Sequence, residues 1–458
     1  MPFWWKDTYH LFYLVDEGHH SKFHGLGGHI WAHASSRDLV SWEHHPLAVP
    51  LGEPGAYDQY GICTGSAFHH EGTFYAFYAT RTVDEFTLED PRRVVTERVC
   101  YSTSRDCIHF EKSARNPILS PAVGYHRRDF RDPVVFCDGQ GRFHMLVTAR
   151  LDPAPVHERG GCLAHYISTD LSTWELTEPF LIPGLVGVPE CPDYFYWNGW
   201  YYLTFLIGGW TRYRMSREPF GPWLRPRVDT IDGPGVNAMK TAAFGKDRRI
   251  GAGFLRWNRD NRDDGGYGYA GNAVFREIIQ HPDGQLGARF PEEMIPASGK
   301  PMALNIQPLA KGVAANTPGT VRLTLPESFA VAYADGIPVD TRVTLRITPQ
   351  GPSSSFGLCV RGTGAFEKGY ELRFSPWDRR VRLGRIGPPY VGVEDFGFDG
   401  LDVPFTVDLV MKNDIIDVCV ADRRCLIRRF PELRGERLFL FSENGDVVFD
   451  QIRVTPIT

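Results

Sequence analysis

The sequence predicts an all-β protein, a five-bladed β-propeller followed by a C-terminal antiparallel β-sandwich. Three observations predict it: an aromatic run that recurs five times, a high density of turn residues, and a change to strict alternation in the last third. Glycine and proline contribute 47 and 34 of 458 residues, 81 together, or about 18% against roughly 12% in an average chain. A hydrophobic content of 42% excludes disorder, and so many breakers exclude a coiled coil.

The recurring run is Tyr9-His10-Leu11-Phe12-Tyr13, then Phe74-Tyr75-Ala76-Phe77-Tyr78, then Phe143-His144-Met145-Leu146-Val147. It returns as Tyr201-Tyr202-Leu203-Thr204-Phe205 and, more faintly, as Ile250-Gly251-Ala252-Gly253-Phe254. Polar turns such as Lys6-Asp7, Glu71-Gly72 and Asn198-Gly199 precede most copies. A second strand follows and ends in a shared phrase: Ser36-Arg37-Asp38, Ser104-Arg105-Asp106 and Ser168-Thr169-Asp170, with Trp42, Phe110 and Trp174 just after. The runs start at residues 9, 74, 143, 201 and 250. Each interval holds three or four short strands, the size of a propeller blade with long loops.

Residues 1–298 are therefore assigned to the propeller, which carries the candidate catalytic residues, 299–304 to a linker and 305–458 to the sandwich. In the last segment Val343–Ile347, Tyr370–Phe374, Phe405–Val410 and Arg437–Phe441 alternate with period two. The uncharged window from Tyr194 to Thr211 contains Asn198-Gly199, a hairpin signal, and reads as a hairpin and not as a membrane span.

A net charge of −5 and a pI near 6.4 leave no electrostatic footprint for nucleic acid or an anionic membrane. Nine scattered cysteines without a C-x-x-C pair argue against a disulfide framework. The opening Met1-Pro2-Phe3-Trp4-Trp5 has no basic region and no small-residue cleavage site, so a cytoplasmic location is expected.

Carboxylates that open a blade are the candidates for chemistry, because the inner strands of a propeller converge on one channel. Arg131-Asp132-Pro133 precedes the strand Val134-Val135-Phe136. Proline restricts the backbone there, and the neighbouring Arg131 is expected to keep Asp132 ionised. The tripeptide alone also fits a surface turn with a local ion pair. Glu190-Cys191-Pro192-Asp193 opens the next unit beside Tyr194, Phe195 and Tyr196. An apolar aromatic setting is expected to raise the Glu190 pKa, as a general acid requires; an exposed turn glutamate is the alternative. His19, His20, His24, His29 and His33 cluster, but on a strand His29 and His33 stand about 13 Å apart. They read as polar loop histidines, and no metal is expected.

These motifs carry a resemblance. Trp31-Ala32-His33-Ala34 through Trp42-Glu43-His44-His45-Pro46-Leu47-Ala48, Tyr57-Asp58 through Cys63-Thr64-Gly65-Ser66-Ala67, Arg131-Asp132-Pro133 and Glu190-Cys191-Pro192 stand in order. Together they resemble glycoside hydrolase family 32, the invertase, inulinase and levanase family. The resemblance runs through the whole propeller and extends to a sandwich segment at residues 417–452. It implies retaining hydrolysis or transfer of β-fructosides such as sucrose, fructo-oligosaccharides, levan or inulin, with a carbohydrate as partner and no cofactor. It implies Glu190 as acid/base and Asp132 as transition-state stabiliser, helped by Arg131. Thr64 and Cys191 are implied in the fructose pocket, and Phe23 or His24 near its aromatic wall. Leu14 stands where the family commonly has Gln. The family nucleophile, an Asp, is expected about ten residues before Tyr9, about two residues upstream of Met1. The alternatives are a related propeller glycosidase of the arabinosidase or xylosidase kind, and a sugar-binding propeller without catalysis.

Overall fold

The computed structural model describes residues 1–16, 28–83, 95–296, 299–309, 313–317, 319–324 and 328–457. Strands dominate; among the described residues the helices are two single 3-10 turns, Arg259–Asn261 and Glu292–Met294.

Five small sheets follow one another along the chain, each ordered as its strands are in sequence. The first holds β1 (Pro2–Trp5), β2 (Thr8–Val15), β3 (Ile30–Ser36) and β4 (Glu43–His44). The second holds β5 (Ile62–His70), β6 (Thr73–Val83), β7 (Val95–Ser104) and β8 (Glu111–Lys112). The third holds β9 (Tyr125–Cys137), β10 (Phe143–Leu151), β11 (Gly161–Ser168) and β12 (Glu175–Leu176). The fourth has three strands, β13 (Glu190–Trp197), β14 (Trp200–Ile207) and β15 (Trp210–Ser216). The fifth holds β16 (Val236–Phe244), β17 (Arg248–Asn258), β18 (Tyr267–Gln280) and β19 (Leu286–Arg289).

Every copy of the aromatic run lies on the second strand of its sheet, β2, β6, β10, β14 or β17. That strand has a neighbour on each side and buries both faces, which favours a continuous apolar run over alternation. The Ser-x-Asp phrase closes the third strand of the first three sheets in one repeated turn. Asp38 accepts the Val40 and Ser41 amides, Asp106 those of Ile108 and His109, and Asp170 those of Ser172 and Thr173. The residue after each Asp (Leu39, Cys107, Leu171) has φ near +60°. The turn thus recruits the aspartate to satisfy amides the ladder has left. The expected hairpin is present: Asn198 and Gly199, both at positive φ, join β13 to β14.

Successive small sheets pack face to face. Phe12 and Trp31 meet Ile62 and Tyr78, while Phe77 and Val99 meet Phe130 and Met145. Leu146 and Leu163 in turn meet Leu203. Two seven-stranded antiparallel sheets occupy Gln307 to Pro456. Thr341–Pro349 and Phe405–Lys412 lie in one, Lys368–Ser375 and Arg437–Glu443 in the other. Val343, Leu345 and Leu409 share a core with Leu372, Phe374 and Leu440, which makes a sandwich of the two. The chain forms two compact units, residues 1–229 with 238–253 and residues 230–237 with 254–458. All nine cysteines are free thiols, and no described helix is long and apolar enough to cross a membrane.

The reading of the histidines as polar loop residues is corrected. His29 and His33 are both buried, and His33 lies within β3, where its ring stacks on Phe12 and its Nε2 is 3.0 Å from His10 Nδ1. A neighbouring strand supplies a partner that the local sequence does not contain. His19, His20 and His24 lie outside the described residues. The third sheet repeats the pair: His144 Nδ1 is 2.9 Å from His165 Nε2, and Asp138 meets His144 at 3.1 Å.

These pairs make the fold acid-sensitive. Burial, reinforced by neighbouring histidines, lowers His10 to about 4, His33 to about 3 and His165 to about 4, from an ordinary 6.5. Folding requires the neutral ring, so the stability is complete above pH 6.5 and is lost as the pH falls toward 4. Carboxylates held low, such as Asp38 at about 2, lose their contribution only below pH 4. The midpoint of thermal unfolding should therefore fall steeply between pH 6.5 and 4, and a flat profile across that window contradicts the assignment.

Candidate active site

The first strand of three consecutive sheets is bulged at the same register. On β5, Ile62 and Gly65 oppose Thr80 and Tyr78; on β9, Arg131 and Val134 oppose Thr148 and Leu146; on β13, Glu190 and Asp193 oppose Leu206 and Thr204. Each first strand advances three residues against two on its partner, the signature of a bulge that re-aims side chains. Proline in two of these bulges, Pro133 and Pro192, lacks an amide that the interrupted ladder would leave idle. Asp132 has φ +55° and Cys191 +50°. Such left-handed backbone costs a non-glycine residue about 1–3 kcal/mol, so packing and hydrogen bonding must hold it.

The two bulges are tied to each other. The Cys191 amide donates to Asp132 Oδ2 at 2.8 Å, and Arg131 Nη2 donates to Glu190 Oε1 at 2.9 Å. Arg131 Nη1 also donates to Glu97 Oε2 at 3.0 Å and to Asp129 Oδ1 at 3.1 Å. Glu97 is buried and accepts the Phe130 amide as well. One guanidinium thus fixes the position of Glu190 from a rigid strand.

The two carboxyls have different environments. Asp132 is buried, and burial pushes its carboxyl up in spite of Arg131, whose Nε lies 3.9 Å away. Arg131 favours the ionised carboxyl, as expected, but desolvation outweighs it and the net shift is upward. The expected apolar setting for Glu190 is corrected. Its side chain is 40% exposed and paired with Arg131, while Tyr194 stacks on Phe136 and Tyr196 faces solvent.

Thr64 and Cys191 are neighbours, and burial raises the Cys191 thiol well above its ordinary value. Arg131, Asp132, Glu190, Cys191 and Thr64 therefore belong to one site. Phe23 and His24 lie outside the described residues.

Three groups escaped the sequence reading. Lys240, on β16, is buried and donates to Gly65 O at 2.8 Å. Burial lowers its pKa, while Asp193, Cys191 and Asp132 work the other way. Asp193 accepts the Thr241 amide at 2.8 Å and its hydroxyl at 2.7 Å. Glu97 is the third. The Met1 amine also enters this region: it donates to Phe12 O at 2.6 Å, and burial followed by Lys240 lowers it to about 5. Spacing could have found Lys240. The residues with left-handed backbone, Asp132 and Cys191, stand ten or eleven positions before Phe143 and Tyr201, and counting back from Ile250 by the same amount reaches Met239 and Lys240.

Glu97 has a measurable structural consequence. Glu97→Ala strips a buried countercharge from Arg131 and should cost about 3–5 kcal/mol in denaturant unfolding. A loss below about 1 kcal/mol would mean that water already screens the pair.

With this geometry in hand, comparison with known proteins gives a consistent result. Residues 1–214 match the model of the glycosyl hydrolases family 32 N-terminal domain. Sucrose-6-phosphate hydrolase of Escherichia coli is 33% identical over 209 residues, 45% of this chain and 40% of that protein. Acid beta-fructofuranosidase of Vigna radiata is 29% identical over 203 residues, 42% of this chain and 28% of that protein. The matches thus span less than half of the length of these curated relatives. Fructan 1-exohydrolase IIa from Cichorium intybus superposes with a TM-score of 0.74 at 17% identity, covering 100% of this chain and 94% of that one. Exo-inulinase from Aspergillus awamori gives 0.72 at 18% identity, with 100% and 95% covered. At that identity the likeness shows the fold. Over residues 1–214 the chain therefore carries a glycoside hydrolase family 32 N-terminal domain.

Proposed function

We propose that the chain is a retaining β-fructoside hydrolase or fructosyltransferase with Glu190 as acid/base and Asp132 as transition-state stabiliser. The observation that carries this reading is the tie between two bulged strands, which holds one half-exposed and one buried carboxyl around a single arginine. Retaining glycoside hydrolysis places its carboxyls in distinct roles around one sugar, and these two stand in distinct environments. In the first step a carboxylate nucleophile bonds to fructosyl C2 as the bond to the leaving oxygen breaks, and the Glu190 proton passes to that oxygen. In the second, Glu190 takes the proton of water or an acceptor hydroxyl, whose oxygen bonds to C2 and releases the nucleophile. Asp132 accepts hydrogen bonds from fructose hydroxyls, Arg131 orients the carboxyls, and Thr64 with Cys191 lines the fructose pocket.

The same reading takes the five small sheets as blades of a propeller over residues 1–298, residues 299–304 as a linker and 305–458 as the sandwich domain. It places the protein in the cytoplasm with sucrose, fructo-oligosaccharides, levan or inulin as candidate substrates.

A fructoside panel tests the function on the protein as its own organism makes it, with intact mass and N-terminal sequence read from the same preparation. Release of fructose supports the proposal. Failure of every fructoside, in a preparation that carries a carboxylate at the expected upstream place, overturns it.

A further inference from the structure

The histidine pair of the first sheet has a fixed polarity. His10 Nδ1 meets His33 Nε2 at 3.0 Å, and His33 Nδ1 is buried with no partner. One nitrogen of the pair must donate and the other accept. If His10 donated, the His33 proton would sit on Nδ1 as an orphaned buried N–H, the rarer and costlier arrangement. His33 therefore donates, and the His10 proton sits on Nε2. Burial lowers both rings far below their ordinary 6.5, so both are neutral near pH 7.

The third sheet gives the same polarity through its own contacts. His144 is the second residue of its aromatic run, as His10 is, and His165 opposes Leu146 across the ladder as His33 opposes Phe12. There Thr177 Oγ1 lies 2.9 Å from His165 Nδ1, His165 Nε2 lies 2.9 Å from His144 Nδ1, and His144 Nε2 lies 3.1 Å from Asp138 Oδ2. An ionised carboxylate only accepts, so His144 Nε2 carries the proton and each group before it donates forward. Asp138 stands six residues before His144; the residue six before His10 is Trp4, which brings no acceptor oxygen. No described group of the protein partners His10 Nε2.

His10 instead lines a cavity of about 820 Å³, although the residue is only 7% exposed. Trp42 and Ile108 give that cavity apolar walls, and the exposed Arg37 and Glu43 line it without a described ion-pair partner. Asp38 lies on the wall too, with Oδ1 already spent on the Val40 and Ser41 amides. The unspent groups are thus a neutral N–H, a guanidinium and a carboxylate beside apolar surface. An anion there faces Glu43 and Asp38, and a cation faces Arg37. A sugar hydroxyl accepts from one of these groups while donating to another, and the C–H faces of the ring suit the apolar walls.

We propose that this cavity is a second carbohydrate site, separate from the catalytic one, which takes a neutral mono- or disaccharide with one hydroxyl on His10 Nε2 and another on Glu43. None of Arg131, Asp132, Glu190, Cys191 and Thr64 lines it, so the assignment does not depend on the catalytic reading.

Nitrogen-15 NMR of the histidine-labelled 458-residue chain at pH 7 tests the proposal. His10, identified by the signal that His10→Phe removes, should show a protonated Nε2 and a bare Nδ1. The opposite tautomer overturns the proposal. Glucose, fructose, maltose and acetate are then titrated to about 50 mM, above the millimolar affinity that a few hydrogen bonds support. At least one sugar should shift His10 Nε2 saturably. Glu43→Gln and Arg37→Gln, both at exposed positions, should each weaken that sugar by at least about threefold, the effect of losing one hydrogen bond to a charged group. Absence of a shift with every sugar overturns the proposal, as does an affinity that survives both substitutions. Acetate binding as tightly as any sugar makes the cavity a simple anion site and overturns the carbohydrate assignment.

Discussion

Glu190→Gln lowers kcat on an unactivated fructoside by about 10²–10⁴-fold, the usual contribution of a positioned general acid. The amide keeps a carbonyl oxygen for Arg131 Nη2, now 2.9 Å from the carboxylate, so the loss reports the missing proton and not a displaced side chain. The side chain is 40% exposed, and the variant should unfold within about 0.5 kcal/mol of the parent. A fructoside with a leaving group that departs as a stable anion, such as an aryl fructoside, needs no proton in the first step and should retain far more of its rate. Equal losses on both substrates would remove Glu190 from the acid role, and near-normal rates on both would remove it from the mechanism. The measurement is a pair of kcat values on the same two preparations, and their ratio is insensitive to the fraction of active protein.

How much of this was legible in the sequence depends on how far apart the interacting residues are. The five sheets were readable because their second strands repeat a buried aromatic run, and a period of that kind survives in one dimension. The turns at Asp38, Asp106 and Asp170 were readable for the same reason, since each aspartate serves amides two and three residues on. Arg131-Asp132-Pro133 and Glu190-Cys191-Pro192 stood out as carboxylates beside proline at the start of a strand. Their surroundings were not readable. The bulge between Glu190 and Asp193 shifts the alternation and turns Tyr194 and Tyr196 away from Glu190, and the residue that sets its environment, Arg131, is 59 positions away. Lys240 has no motif around it, and only its register in the fifth sheet marks it. His33 was misjudged because its partner, His10, belongs to the preceding strand. Local chemistry was visible where the chain makes it locally; charge and burial were hidden where long-range packing decides them.

Asp132→Asn should lower kcat and kcat/KM together, by roughly 10²–10³-fold, the range for removing one preorganised electrostatic contact. The asparagine carbonyl can still accept the Cys191 amide that meets Asp132 Oδ2 at 2.8 Å, so the bulge and its left-handed backbone are kept. What changes is the other oxygen, which becomes a donor where the fructose hydroxyl needs an acceptor. That hydroxyl bond strengthens as positive charge develops on the fructosyl ring, and its loss falls on the transition state rather than on bound substrate. KM should therefore stay close to its parent value while kcat drops. A rise in KM at constant kcat would assign Asp132 to ground-state binding alone. pH offers an independent reading of the same residue. Burial raises the Asp132 pKa, so its ionised form is lost earlier on acidification than that of an ordinary aspartate. Protonation of the parent then has the same consequence as the amide substitution, an acceptor lost to the sugar. The parent should show an acid limb in kcat/KM that Asp132→Asn lacks, and an acid limb unchanged in the variant would place that ionisation elsewhere.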